Sequence, residues 1–299
     1  MTRAPNPVLD AGPSSDAGDL ADGGEGQDAG GPPVDRGPSL IPVDGDPNGL
    51  FLLADGSLLI ADDDGNRILR YRDGAGVSLV GNLPMAPDQG PGLGQVVARA
   101  DGTIVVPRFG FGTQGDVAVL ATDGTPSTVP ALDRTRRRIG MAVGPGDQLY
   151  GTYFVNQAGT RVGAVVALEL TGQEVEVVGG FQKPVGVLVV GDTLYVADQD
   201  QRRIFKAPLS SPTAMTVHAT PDSADLLSAG PEGSLYTGGR DGKVYQIAAS
   251  GAVTVFQAGL QEVRGTAYDP VHRRLFVVDH DGDSTDGENH FLRVFPVDP

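Results

Sequence analysis

Short apolar runs, broken every few positions by Gly, Asp or Pro, fill most of the chain after about residue 38. The clearest stretch is Pro47 to Tyr71. There Leu50 to Leu53 and Ser57 to Ala61 flank the turn Ala54-Asp55-Gly56, and the acidic elbow Asp62-Asp63-Asp64-Gly65 leads into Arg67 to Tyr71. Asp-Gly between apolar runs marks a tight hairpin, so the stretch predicts three consecutive antiparallel strands. The order returns over Pro184 to Lys206, again with Ala-Asp followed five residues later by Arg-Ile.

A small residue recurs near the start of each unit's first strand: Gly49, Gly94, Gly140, Gly186, Ala224 and Gly265, at intervals of 45, 46, 46, 38 and 41 residues. Units of ~40–50 residues with four short strands each are the signature of propeller blades, and six are predicted. Inner strands crowd around the axis, where Gly permits close backbone approach. Too few residues follow Gly265 for four strands, so the missing outer strand is expected from Ser39 to Val43, paired with Phe291 to Val297. The predicted fold is all-β: a six-bladed β-propeller over residues 39–299, closed by an N-terminal strand that completes the last blade.

Composition narrows the function. Residues 1–38 are mostly Asp, Ala, Gly, Pro and Ser without an aromatic residue, which predicts a disordered linker. The chain carries 22 Lys plus Arg against a net charge of −16, so nucleic acid and anionic membrane are poor partners. The absence of Cys excludes disulfides, thiolate zinc sites and a Cys nucleophile. No run approaches the ~18 apolar residues that span a bilayer, and no signal-peptide apolar core follows Met1. A monomer is expected.

Three resemblances sharpen these expectations. Residues 1–38 resemble the spacers that follow the lipid-modified Cys of bacterial envelope lipoproteins. This implies a lipid-anchored tether and a periplasmic, outer-surface or secreted protein; a native chain without a signal would be cytoplasmic. Ile60-Ala61-Asp62…Arg67-Ile68 and Val196-Ala197-Asp198…Arg203-Ile204 resemble the NHL repeat, where the Asp and Arg of adjacent strands pair within a blade. That resemblance implies a binding module presenting one face to a protein, peptide or saccharide. Pro47-Asn48-Gly49-Leu50 with its following hairpin is similar to the gluconolactonase/regucalcin branch of six-bladed propellers. There an Asn before the Gly points into the channel and binds a divalent cation, and Asn48 matches it. The other positions before the anchors are Leu93, Ile139, Val185, Ser223 and Arg264, most of which cannot ligate a hard cation. This resemblance implies, as the alternative function, a metal-dependent lactonase or esterase using Asn48, Asp225 and Asp198 as oxygen ligands.

On a propeller, the entrances to the first strands and the loops between second and third strands meet at one face. The ligand-binding residues expected there are Asn48, Arg108, Tyr153, Asp198, Asp225, Arg240, Arg264 and His280, with Phe109, Phe111, Tyr153 and Phe154 as an aromatic patch. The acidic loop from Asp279 to His290 resembles a calcium loop at its first, third and fifth places. Gly282 and His290 depart from the EF-hand pattern. Ca²⁺ or another divalent cation is the one cofactor expected, with Asn48, Asp225, Asp279, Asp281 and Asp283 as candidate ligands. A propeller lyase would need a His-rich metal site or a paired acid and base, and only His280 stands near the right place. No Gly-x-Ser-x-Gly elbow occurs. The basic run Arg134 to Arg138 reads as a solvated face or as a contact with an acidic group.

Overall fold

The computed structural model describes residues 37, 39–86, 89, 90, 92–280 and 291–298. Most of the predicted linker 1–38 and the acidic loop 281–290, with Asp281 and Asp283, lie outside these residues. Strand β1 (Leu40–Pro42) precedes the first blade, which comprises β2 (Pro47–Leu52), β3 (Leu58–Asp62), β4 (Arg67–Arg72) and β5 (Gly76–Asn82). The second holds β6 (Val97–Ala98), β7 (Ile104–Arg108), β8 (Asp116–Leu120) and β9 (Pro126–Thr128), and the third β10 (Arg137–Val143), β11 (Leu149–Gln157), β12 (Thr160–Leu168) and β13 (Glu174–Phe181). The fourth is β14 (Pro184–Val190), β15 (Thr193–Asp198), β16 (Arg203–Pro208) and β17 (Thr216–Ala219), and the fifth β18 (Leu227–Ala229), β19 (Leu235–Thr237), β20 (Val244–Ile247) and β21 (Val253–Gln257). The sixth has β22 (Glu262–Asp269), β23 (Arg274–His280) and β24 (Phe291–Pro296), with β1 antiparallel to β24 as its fourth strand.

The core lies between blades. Second strands are covered on both faces, which is why β3 reads Leu-Leu-Ile-Ala-Asp without polar alternation and is buried throughout. Leu58 and Ile60 pack towards Phe276 and Val278 of the sixth blade, whereas Leu59 and Ala61 pack towards Val106 and Ala118 of the second. The outer strand β5, by contrast, is largely solvent-facing.

The anchors form a ring around the axis. A Cβ on Gly49, Gly94 or Gly265 would run into the carbonyl oxygen of Gly94, Ile139 or Asn48 respectively, so close approach demands glycine. The fifth blade corrects the sequence reading. Gly186 lies on the carbonyl of Asp225, so Leu226 occupies the anchor place expected of Ala224. The residue ahead of that anchor is Asp225, not Ser223.

The Asp–Arg motif also needs correction. Asp62 pairs with Arg67 (Nε to Oδ2, 2.5 Å) and accepts the Asp46 N–H at 2.8 Å. Asp198 and Asp279 do the same backbone service, accepting from Gln182 N at 2.7 Å and Gln261 N at 2.9 Å. Arg203, however, stands opposite Asp198 in register yet is exposed and makes no ion pair with it. In the second blade the charges are exchanged, with Arg108 of β7 opposite Asp116 of β8.

Candidate functional site

The ring of anchors pinches the channel, leaving separate cavities on its two sides. The cavity at the end where the first strands begin is a polar cleft of about 210 Å³. Its floor is made by the residues just ahead of the anchors: Asn48, Leu93, Ile139, Val185, Asp225 and Arg264. Asp63, Phe109, Phe111, Lys183, Gln199 and Arg240 rise around them.

Strand entry sets each group. Asn48 opens β2 and donates Nδ2–H to the Leu93 carbonyl at 2.8 Å, which turns its Oδ1 away from that bond. Asp225 is held by its own N–H on Thr237 Oγ1 at 3.0 Å. Its Oδ2 accepts from Gln199 Nε2 at 3.3 Å and faces Arg264 Nη1 at 3.7 Å. Lys183 Nζ donates to Gln199 Oε1, extending the chain to a cation. Across the cleft, Glu262 Oε1 lies 3.2 Å from Arg264 Nη2 and 3.1 Å from Arg240 Nε. Asp63 accepts the backbone N–H groups of Gly92 and Leu93, the latter at 2.7 Å. The 3₁₀ turn Gly110–Gly112 carries Phe111 at φ +52°, a conformation bulky residues avoid, and leaves that residue 59% exposed beside Phe109 (5.1 Å between ring centroids).

Burial perturbs these groups in one direction, towards neutrality. It pushes the Asp63 carboxyl up to about 6, raises Asp225, and lowers the Lys183 ammonium, which nearby Arg240 lowers further. The folded state therefore keeps a proton on Asp63 between about pH 4 and pH 6, and stability drains away as pH rises through that window. Asp63→Asn retains an acceptor for both N–H groups without the charge. It is expected to stabilise the protein by up to about 3 kcal/mol at pH 7.5 and by nothing at pH 4. Urea midpoints at the two pH values check this, and an equal gain at both would refute it.

Of the expected site residues, Asn48, Asp225, Arg240 and Arg264 come together in this cleft. The others serve elsewhere. Arg108 is fully buried against Asp116, and Asp198 is saturated by the N–H groups of Gln182, Lys183 and Gln201. Tyr153 lies under the Arg136 guanidinium at 4.0 Å and donates to Glu176 at 3.4 Å. His280 Nδ1 stands 2.6 Å from Asp46 Oδ1, and Asp279 is taken by Gln261 N and Arg293. Lys183 and Glu262 are contributors that no motif signalled. Each stands three residues ahead of its anchor, an offset that marks the rim just as the preceding residue marks the floor.

The floor of this cleft offers a divalent cation few oxygen ligands. The floor offers one amide oxygen and one carboxylate, the guanidinium of Arg264 lies against that carboxylate, and the remaining floor side chains are aliphatic. Among the described residues no group of three or more His, Asp or Glu could hold a metal. Nor, among them, is any helix long and apolar enough to cross a membrane.

Fold and cleft together define a six-bladed β-propeller with a charged axial site. Solved propellers share this fold. The chain is similar to the gluconolactonase of Xanthomonas campestris (TM-score 0.65, 14% identity, covering 84% of this chain and 87% of that one). It is also similar to virginiamycin B lyase from Staphylococcus aureus (0.60, 12%, 87% and 98%) and to a chain of a nidogen/laminin complex (0.57, 14%, 80% and 96%). No protein-family model matches the sequence, and no curated protein matches it.

Proposed function

We propose that the protein is a binding propeller whose upper cleft receives an acidic side chain from a peptide segment of a partner protein. The observation that carries this reading is the convergence of Lys183, Arg240 and Arg264 on one cleft in a chain of net charge −16. Arg recognises carboxylates with directed N–H groups, and Arg beside exposed aromatic rings is the composition of binding hot spots. Phe111 supplies an exposed ring, with the half-buried Phe109 beside it. The nidogen/laminin propeller, taken from a complex of two proteins, supports the same use of the fold. The likeness of residues 1–38 to lipoprotein tethers supports an envelope setting.

An array of peptides with Asp or Glu at the centre tests the cleft. Arg264→Ala and Arg240→Ala are each expected to weaken retained peptides at least about tenfold, and binding should fall with added salt. Arg99→Ala, whose ion pair is with Asp147 of the third blade, should change nothing. Peptides held equally by the Arg240→Ala/Arg264→Ala double variant would defeat the proposal.

Asn48 and Asp225 on one floor favour a second reading, the metal-dependent hydrolase. Its test is calorimetric titration of Ca²⁺, Mn²⁺ and Zn²⁺ into chelator-treated protein. Saturable binding that Asn48→Ala abolishes would move the assignment to hydrolysis.

A further inference from the structure

The carboxylate on the floor of the upper cleft is half used. The Asp225 side chain is 4% exposed, and both Gln199 and Arg264 approach its Oδ2, Arg264 from beyond hydrogen-bond distance at 3.7 Å. Among the described residues nothing donates to its Oδ1, and that atom is not closed off from solvent in the cleft it lines. Burial raises the carboxyl even with Arg264 and Lys183 nearby, so this floor is short of positive charge. Lys183 presents the opposite case. Its Nζ donates to Gln199 Oε1 and, among the described residues, makes no ion pair. Gln199 thus stands between a cation without a carboxylate and a carboxylate with an open oxygen, holding them one amide apart. The other carboxylate of the cleft, Asp63, already holds two main-chain N–H groups on its Oδ1.

An acidic side chain by itself would answer Lys183 and bring a second anion towards Asp225. A ligand with an ammonium close to its carboxylate answers both. The first residue of a chain, when it is Asp or Glu, carries that pair within one residue, since an α-amino group is protonated at neutral pH. Size agrees: a cavity of about 150 Å³ holds benzene, so a cleft of about 210 Å³ holds a single residue at a chain end. We infer that the acidic residue received by the upper cleft is the N-terminal residue of the partner chain, its α-ammonium donating to Asp225 Oδ1 and its side-chain carboxylate accepting from Lys183. This rests on the reading of the cleft as a receptor for an acidic side chain and adds the ammonium to it.

The probes are the amidated peptide Glu-Ala-Ala-Ala, its glutaryl counterpart, in which hydrogen replaces the α-ammonium, and Ala-Ala-Ala-Ala, which keeps the ammonium and lacks the acid. Each is titrated calorimetrically into the full chain at neutral pH. The Glu-first peptide is expected to bind at least about tenfold more tightly than the glutaryl peptide. Asp225→Asn should bring those two within about twofold of each other, whereas Lys183→Met should weaken both by the same factor. Equal affinities of the Glu-first and glutaryl peptides for the unaltered protein would overturn the inference and leave the acidic-side-chain reading standing. Binding of neither would overturn both. An Ala-first peptide held as tightly as the Glu-first one, or a preference undiminished in Asp225→Asn, would also overturn the inference. The peptide comparison needs no substitution, so a variant that fails to fold cannot obscure it.

Discussion

Arg108→Ala is expected to destabilise the propeller by about 3–5 kcal/mol, because it removes one partner of a fully buried ion pair. The Arg108 side chain has no exposed surface. Nη1 donates to Asp116 Oδ1 at 2.8 Å, Asp116 Oδ2 at 3.0 Å and Gln89 Oε1 at 3.0 Å. Nη2 donates to Asn66 Oδ1 at 2.7 Å and the Pro84 carbonyl at 2.8 Å, both contributed from the first-blade side. One guanidinium thus ties two blades together and neutralises the Asp116 carboxylate. Truncation strands Asp116, whose remaining partner there is the Gln89 amide at 2.7 Å. Arg108→Lys should restore less than half of the loss, since one ammonium cannot reach both blades as the planar fork does. Arg108→Met with Asp116→Leu should restore most of it, because the apolar pair leaves no buried charge behind. Urea midpoints at constant m-value measure all three, and a loss below about 1 kcal/mol for Arg108→Ala would mean that Asp116 finds solvent.

The sequence presents Arg108 as a site residue, and the reason it misleads is physical. Asp62 and Arg67 are five residues apart because a tight turn joins their strands. The insertion between β7 and β8 carries Asp116 eight residues beyond Arg108 and exchanges the charges, so local spacing no longer reveals the pair. The blades themselves are legible because crowding at the axis imposes a small residue on the start of nearly every inner strand. Where the axis accepts Leu226 instead, the anchor is lost to view and the floor position shifts by two residues, from Ser223 to Asp225. Asn48, Asp225, Arg240 and Arg264 are legible because they sit at strand entrances or at the loops that return to the same face. Asp198 and Asp279 occupy equivalent ends of second strands, but there a carboxylate is consumed in accepting the N–H that leads into the first strand of its own blade. Lys183 and Glu262 escape because they lie at the entries to the first strands, ahead of the motif that repeats from blade to blade.

Arg274→Ala should cost about 3 kcal/mol at pH 7, and its effect should shrink in acid. Arg274 is 1% exposed and lies at the seam where the ring closes. Its Nε donates to Asp269 Oδ2 at 3.1 Å within the last blade. Nη1 and Nη2 reach Asp73 Oδ1 at 3.0 Å and Oδ2 at 2.5 Å in the turn between β4 and β5 of the first. Phe276 packs beneath the guanidinium at 4.7 Å. The Arg274 hydrogen bond holds the Asp73 carboxyl below its usual range. Burial works against ionisation of Asp269, yet hydrogen bonds from His272 and Arg274 outweigh it and hold that carboxyl low as well. Carboxyls depressed in the folded state add stability that is present above about pH 4 and is lost as pH falls below it, so wild type and variant should converge by about pH 3. Asp73→Asn should cost only about 1 kcal/mol, since Asp73 is 42% exposed and solvent can replace its partner. The main-chain closure beside this staple is slight: β1 pairs with β24 over three residues, of which only Ile41 is buried. A staple of side chains is therefore expected to carry much of the seam, and faster amide exchange in β24 of Arg274→Ala would report its opening directly. Unchanged exchange together with an unchanged urea midpoint would instead assign closure to strand pairing and blade packing alone.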